Sequence, residues 1–68
     1  MTVFQQRLHE QRKLNKLTQA AVAEYLQISQ PSYVRYENGS AEPSYANLVK
    51  LADLFGVSTD YLLGRTAY

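Results

Sequence analysis

Gln30, Pro31, Val34 and Arg35 lie within six consecutive residues. Helical spacing pairs Gln30 with Val34 and Pro31 with Arg35 on one face. That face holds an amide, a guanidinium and two apolar groups, and no acid. These are groups that read base edges. Glutamine can pair bidentately with adenine, arginine with guanine or a phosphate, and valine and proline can touch thymine methyls. The chemistry implied is recognition in a DNA major groove, not bond-making. Catalytic chemistry has little to stand on. With no cysteine there is no thiolate metal site, disulfide or cysteine nucleophile. The lone His9 cannot build a histidine zinc site and reads as a solvated surface residue. Ser29, Ser44 and Ser58 have no histidine placed to activate them, so they read as helix caps. Asp53 and Asp60 have no partner set and read as helix-surface and helix-start charges. No enzyme, metal or cofactor is expected.

Such a face needs a helix held at a steep angle to its neighbours. No stretch alternates apolar and polar residues long enough for a strand, so the pattern predicts an all-α chain. Helices are expected over about 3–14, 18–26, 30–37, 44–55 and 58–63. Thr2 caps the first, which places Phe4, Leu8 and Arg12 on one side. Asn15-Lys16 stops it, with Asn15 suited to a left-handed conformation. Thr18 opens the second helix, whose apolar residues are Ala21, Val22, Tyr25 and Leu26. Ser29 caps the third, Pro31 fits its first turn, and Asn38-Gly39 ends it. Pro43-Ser44 opens the fourth, with Leu48, Leu51, Ala52 and Phe55 inward. Gly56 stops it, Ser58 caps the last helix, and Gly64 ends that in turn.

The second and third helices, joined by about three residues, form a helix-turn-helix. Its inward positions are Ala21, Leu26, Ile28, Tyr33 and Tyr36, with Ala21 as the small residue at the crossing. The six tyrosines could offer a stacking platform for single strands. Tyr25, Tyr33, Tyr36 and Tyr61 nevertheless fall on inward positions and read as core with the hydroxyl at the rim.

Sixty-eight residues suffice for one domain, 1–68, which buries only about 60% of its unfolded surface. The formal charge is +1, mild for a nucleic-acid partner. Its distribution says more. Through Lys16, four basic residues face only Glu10, a local +3, while 17–40 and 41–68 each carry −1. No apolar run approaches a membrane span and no signal-peptide pattern opens the chain, so a cytoplasmic location is the default expectation. Met1 reads as a natural start.

The stretch from Arg7 to Gly64 resembles the phage repressor/Cro-type (XRE-like) helix-turn-helix family. The resemblance is carried by Leu17-Thr18-Gln19, Ala23, Leu26, Ile28-Ser29, Tyr36-Glu37-Asn38-Gly39 and Pro43-Ser44. Leu48, Leu51-Ala52, Phe55-Gly56-Val57-Ser58 and Asp60-Tyr61-Leu62-Leu63-Gly64 continue it in register. It implies a five-helix, lambda-repressor-like domain that binds double-stranded operator DNA, usually as a homodimer, with helix 3 reading bases. By the same resemblance, Gln30, Pro31, Val34 and Arg35 occupy base-reading or adjacent positions, and Tyr45 belongs to the core. Thr18, Gln19, Ser32, Asn38 and Ser40 fall where the backbone is met, and Arg12 and Glu37 match a partly buried salt bridge tying helix 1 to the end of helix 3. Val34 and Pro31 depart from the usual polar residues, which shifts weight toward methyl contacts and DNA shape. Lys16 replaces a frequent glycine.

The resulting expectation is a transcriptional regulator, a repressor on a palindromic operator. The chain has no room for a small-molecule effector domain, so self-association falls to the apolar carboxyl-terminal segment, with Tyr61, Leu62, Ala67 and Tyr68 as the interface. Half-sites would then lie about 34 Å apart. The rival reading keeps the fold but exchanges DNA for a protein, as an antitoxin- or coactivator-like partner.

Overall fold

The computed structural model describes residues 2–68; Met1 lies outside the described residues. Five helices follow in order: α1 (Val3–Leu14), α2 (Gln19–Leu26), α3 (Gln30–Asn38), α4 (Tyr45–Phe55) and α5 (Thr59–Leu63). Each starts at a hydroxyl residue with extended backbone, namely Thr2, Thr18, Ser29, Ser44 and Ser58. In every case the side chain accepts from the amide three residues on. The expected starts at 18, 44 and 58 therefore move inward by one residue, because those residues are caps. Helix α3 runs one residue further than expected, to Asn38.

The end of α1 differs from the sequence reading. Asn15 keeps φ −88°, and the left-handed residue is Lys16 at φ 56°. The Asn15 side-chain amide instead donates back to the Gln11 carbonyl at 2.8 Å. Gln27 closes α2 in the same left-handed way, at φ 59°. Such conformations cost an L-residue roughly 1–2 kcal/mol. The next amide compensates each time, Leu17 N–H reaching the Arg12 carbonyl at 3.1 Å and Ile28 N–H the Ala23 carbonyl at 3.0 Å.

Gly39 closes α3 at φ +86°, and a Cβ there would sit 1.9 Å from the Gln5 amide nitrogen. That amide group completes the α1 cap, its oxygen accepting from Thr2 N–H at 3.2 Å. Gly39→Ala should therefore lose about 1–2 kcal/mol, from the left-handed backbone and the displaced cap together. A urea midpoint equal to the parent protein's would refute this.

Leu8, Val22, Ala23, Leu26, Tyr33, Tyr36, Leu51, Ala52, Phe55 and Leu62 form one core to which every helix contributes. Three expectations change here. On the eight-residue α2 the buried stripe is Val22, Ala23 and Leu26, so Ala21 and Tyr25 face outward. Ala23 is thus the small residue α2 buries. Tyr45, the first residue of α4, projects off the helix end and is 91% exposed. Leu62 is fully buried and has no surface to offer a partner; Leu63 is the half-exposed residue of α5.

Arg7 fastens the two ends of the chain. One guanidinium nitrogen donates to the carbonyls of Tyr61 and Thr66, both at 2.6 Å, and its carbon lies 4.3 Å from the centre of the Tyr61 ring. Asn47 ties α4 to α3 through the Tyr36 hydroxyl at 3.2 Å. Among the described residues no helix is long and apolar enough to cross a membrane.

Candidate nucleic-acid interface

The expected contact residues lie on three elements: the first turn of α2, the outer face of α3, which packs against α2, and the turn after it. On α3, Gln30, Pro31 and Arg35 are exposed, with Val34 and Ser32 half-buried beside them. No salt bridge or side-chain hydrogen bond among the described residues engages Gln30 or Arg35. Tyr33 and Tyr36 take the opposite face into the core, their rings edge to face at 6.1 Å. Burying the tyrosines thus turns the strip out.

The residues expected by resemblance at the DNA backbone are differently placed. Thr18 Oγ1 accepts from Ala21 N–H, leaving its own proton to donate. The first amides of α2, at Gln19 and Ala20, find no partner among the described residues, as an open helix start allows. They can serve a phosphate. Ser32 is partly engaged, since its Oγ accepts from Ser29 Oγ at 2.8 Å. Asn38 and Ser40 form a closed local turn. Asn38 Oδ1 accepts from the Ser40 amide at 2.9 Å and hydroxyl at 2.7 Å, which leaves the Asn38 NH2 outward.

Behind this surface Glu37 gathers donors from three helices. It is only 7% exposed. Arg12 grips it side-on, Nε to Oε2 at 2.6 Å and Nη2 to Oε1 at 3.2 Å. The other Arg12 nitrogen donates to the Leu17 carbonyl at 3.0 Å. The Tyr33 hydroxyl donates to Oε2, His9 Nδ1 lies 3.0 Å from Oε1, and Gln19 Nε2 approaches Oε1 at 3.4 Å. The pair anticipated between Arg12 and Glu37 is therefore part of a five-residue brace. His9 belongs to it and is not a free surface residue. Gln19, placed by resemblance at a phosphate, also leans on the brace.

Burial, the strongest single influence on Glu37, pushes its pKa up, but hydrogen bonds from Arg12, Tyr33 and His9 outweigh it and hold it at about 2. Glu37 also holds the Arg12 pKa above its ordinary value. The Tyr33 hydroxyl is pushed up, by burial first and by Glu37 next, so it stays a neutral donor. A carboxylate whose folded pKa is depressed adds stability that is complete above its unfolded value and vanishes as pH falls through the folded one. Here that window runs from 4.5 down to about 2. Urea titrations across it should show a loss on the order of 2 kcal/mol, largely absent in Glu37→Gln. Equal pH slopes for both proteins would show that the brace does not set acid stability.

An exposed strip on a short helix, a half-open helix start beside it and a buried ionic brace behind define a helix-turn-helix domain. The chain belongs to the helix-turn-helix family, whose model matches residues 8–62, and within it to the phage repressor/Cro type. It is 46% identical over 64 residues to the cryptic phage CTXphi transcriptional repressor RstR of Vibrio cholerae serotype O1, covering 94% of this chain and 57% of that protein. It is 44% identical over 61 residues to the uncharacterized HTH-type transcriptional regulator YqaE of Bacillus subtilis strain 168, covering 90% and 53%. Among solved structures it is similar to the P22 c2 repressor protein in complex with synthetic operator 9T. That match has a TM-score of 0.84 at 30% identity and covers 93% of this chain and 96% of the other. The all-α, lambda-repressor-like fold follows. The chain spans about half the length of the curated relatives it matches, and they are named as transcriptional regulators, not enzymes.

Proposed function

We propose that the protein is a sequence-specific double-stranded DNA-binding transcriptional regulator, a repressor, which lays α3 in the major groove of a palindromic operator as a homodimer. The observation that carries this is the uncovered outer face of α3 on a fold that matches a repressor solved on its operator. Gln30 and Arg35 supply hydrogen bonds to base edges, and Pro31 and Val34 supply apolar contact with thymine methyls. Thr18, Gln19, Asn38, Ser40 and Ser32 sit along the backbone, where the free α2 amides favour phosphate. Arg12 and Glu37 touch no base; they hold α3 against α1.

Self-association is assigned to the carboxyl-terminal face. Its exposed members are Leu63, Ala67 and Tyr68, with half-buried Tyr61 beneath Arg7; Leu62 drops out because it is core. A two-fold axis there repeats the strip once per helical turn and makes the site palindromic.

Selecting bound duplexes from a random pool tests this reading in one experiment. Recovery of an inverted repeat supports it; recovery of no duplex, with another protein co-purifying, would select the protein-interaction reading. Affinity for the selected site should also fall steeply with salt, since each phosphate contact releases counterions and steepens the log–log slope by about 0.9. A flat profile between 50 and 200 mM salt, roughly the range over which such complexes weaken most, would exclude DNA as the ligand.

A further inference from the structure

The Glu37 carboxylate is oversubscribed. Two carboxylate oxygens offer about four lone-pair positions, and five donors converge on them. Oε2 is filled by Arg12 Nε and the Tyr33 hydroxyl. Oε1 is approached by His9 Nδ1 at 3.0 Å, Arg12 Nη2 at 3.2 Å and Gln19 Nε2 at 3.4 Å. The longest and weakest of these is Gln19.

His9 Nδ1 also has two claimants. Arg12 Nη2 stands 3.3 Å away and could bond only to a lone pair. Glu37 Oε1, an ionised acceptor 3.0 Å away, could bond only to a proton. A bare Nδ1 facing that oxygen would set two lone pairs against each other beside a buried charge. The proton therefore sits on Nδ1 and is donated to Glu37. With His9 and Arg12 both on Oε1, that oxygen stays satisfied when Gln19 leaves it.

We propose that His9 is a positioning residue for DNA binding, whose Nδ1–H satisfies Glu37 Oε1 and so frees the Gln19 carboxamide to donate to a phosphate. The inference rests on the DNA-binding reading above and adds a residue to it. His9 itself is 42% exposed on α1 and touches no base in this scheme. Glu10 and Lys13 border it on the solvent side, and Arg12 and Glu37 face it from within. Without the His9 donor, Gln19 becomes the second partner of Oε1, and turning it to a phosphate strips a hydrogen bond from a buried carboxylate.

The test compares His9→Ala, His9→Asn, Gln19→Ala and the His9→Ala/Gln19→Ala double variant on a fluorescent duplex carrying the selected site. His9→Ala should weaken binding by about three- to tenfold, one hydrogen bond's worth. It should also lower the salt slope by about one contact. His9→Asn, which can place an amide N–H where Nδ1 lies, should restore most of the affinity. In the Gln19→Ala background His9→Ala should have no further effect on binding, an outcome that a loss of stability alone would not give. An equal loss in both backgrounds overturns the inference, as does parental affinity for His9→Ala. Nitrogen-15 spectra of the DNA-free protein supply an independent arm. They should show a proton on His9 Nδ1, and an Nδ1 without one overturns the assignment. If the parent protein binds no duplex at low salt while the Nδ1 proton is present, the DNA reading has failed and this role for His9 falls with it.

Discussion

Replacing Glu37 with alanine is expected to destabilise the protein by about 3–5 kcal/mol, the usual result of removing one partner from a buried ion pair. The Arg12 guanidinium would remain in a site where its side chain is only 11% exposed, and the fully buried Tyr33 would lose the acceptor for its hydroxyl. A domain of this size has a total of about 3–10 kcal/mol to lose. The melting temperature should therefore drop by at least about 12 °C, and part of the population should be unfolded at ambient temperature. Glu37→Gln keeps an acceptor for Arg12 and Tyr33 and should fall between the parent and Glu37→Ala. Thermal melts by circular dichroism order the three proteins directly. A drop below about 4 °C for Glu37→Ala, the shift expected from roughly 1 kcal/mol, would mean that the brace is not what fixes α3.

The second large effect concerns binding and leaves the fold alone. Gln30→Ala and Arg35→Ala should each weaken binding to the selected site by about 1–3 kcal/mol and relax base preference at the positions they face. Their melting temperatures should match the parent, because both side chains are exposed and no ion pair among the described residues holds Arg35. Gln19→Ala should behave otherwise and lose affinity about equally for all sequences, as a phosphate contact does. Titrations of the selected and a scrambled duplex separate the two behaviours. Undiminished affinity in both Gln30→Ala and Arg35→Ala would remove them from the interface.

The helices were readable because their boundaries are written locally. A hydroxyl cap three residues before its partner amide and a glycine at a left-handed stop need no tertiary information, and such signals bracket α3, α4 and α5. The stop of α1 departs from local preference, which favours Asn15, the non-glycine residue type that best tolerates a left-handed backbone. The chain gives it to Lys16, where the 3.1 Å bond from Leu17 back to Arg12 closes the turn.

Burial was less legible on the shortest elements. An apolar periodicity over eight residues admits neighbouring stripes about 100° apart, so the pattern alone favours Ala21 and Tyr25 as inward on α2, where the structure buries Ala23. Tyr45 and Leu62 show the limit differently. Tyr45, placed in the core by resemblance, is exposed, and Leu62, placed at an interface, is buried, because the packing of each depends on elements distant in sequence.

At the site, the opposition between Tyr33/Tyr36 and Gln30/Val34 was visible from spacing alone. Part of the brace also left a trace. Tyr33 and Glu37 are four residues apart on α3, and His9 and Arg12 three apart on α1, so each pair shares a side. That both pairs meet at one carboxylate depends on how α1 crosses α3. The approach of Gln19 from α2 leaves no signature in the sequence.

A carboxylate that serves as the shared anchor of three helices divides the labour between the two sides of α3. One side is committed to keeping the chain folded and tolerates little change. The other makes no such commitment at Gln30, Pro31 and Arg35, so if α3 reads bases as proposed, substitutions there would change the preferred DNA while the scaffold survives. On that proposal, the same compact frame would be re-addressed to new target sites through a few side chains, without a new architecture.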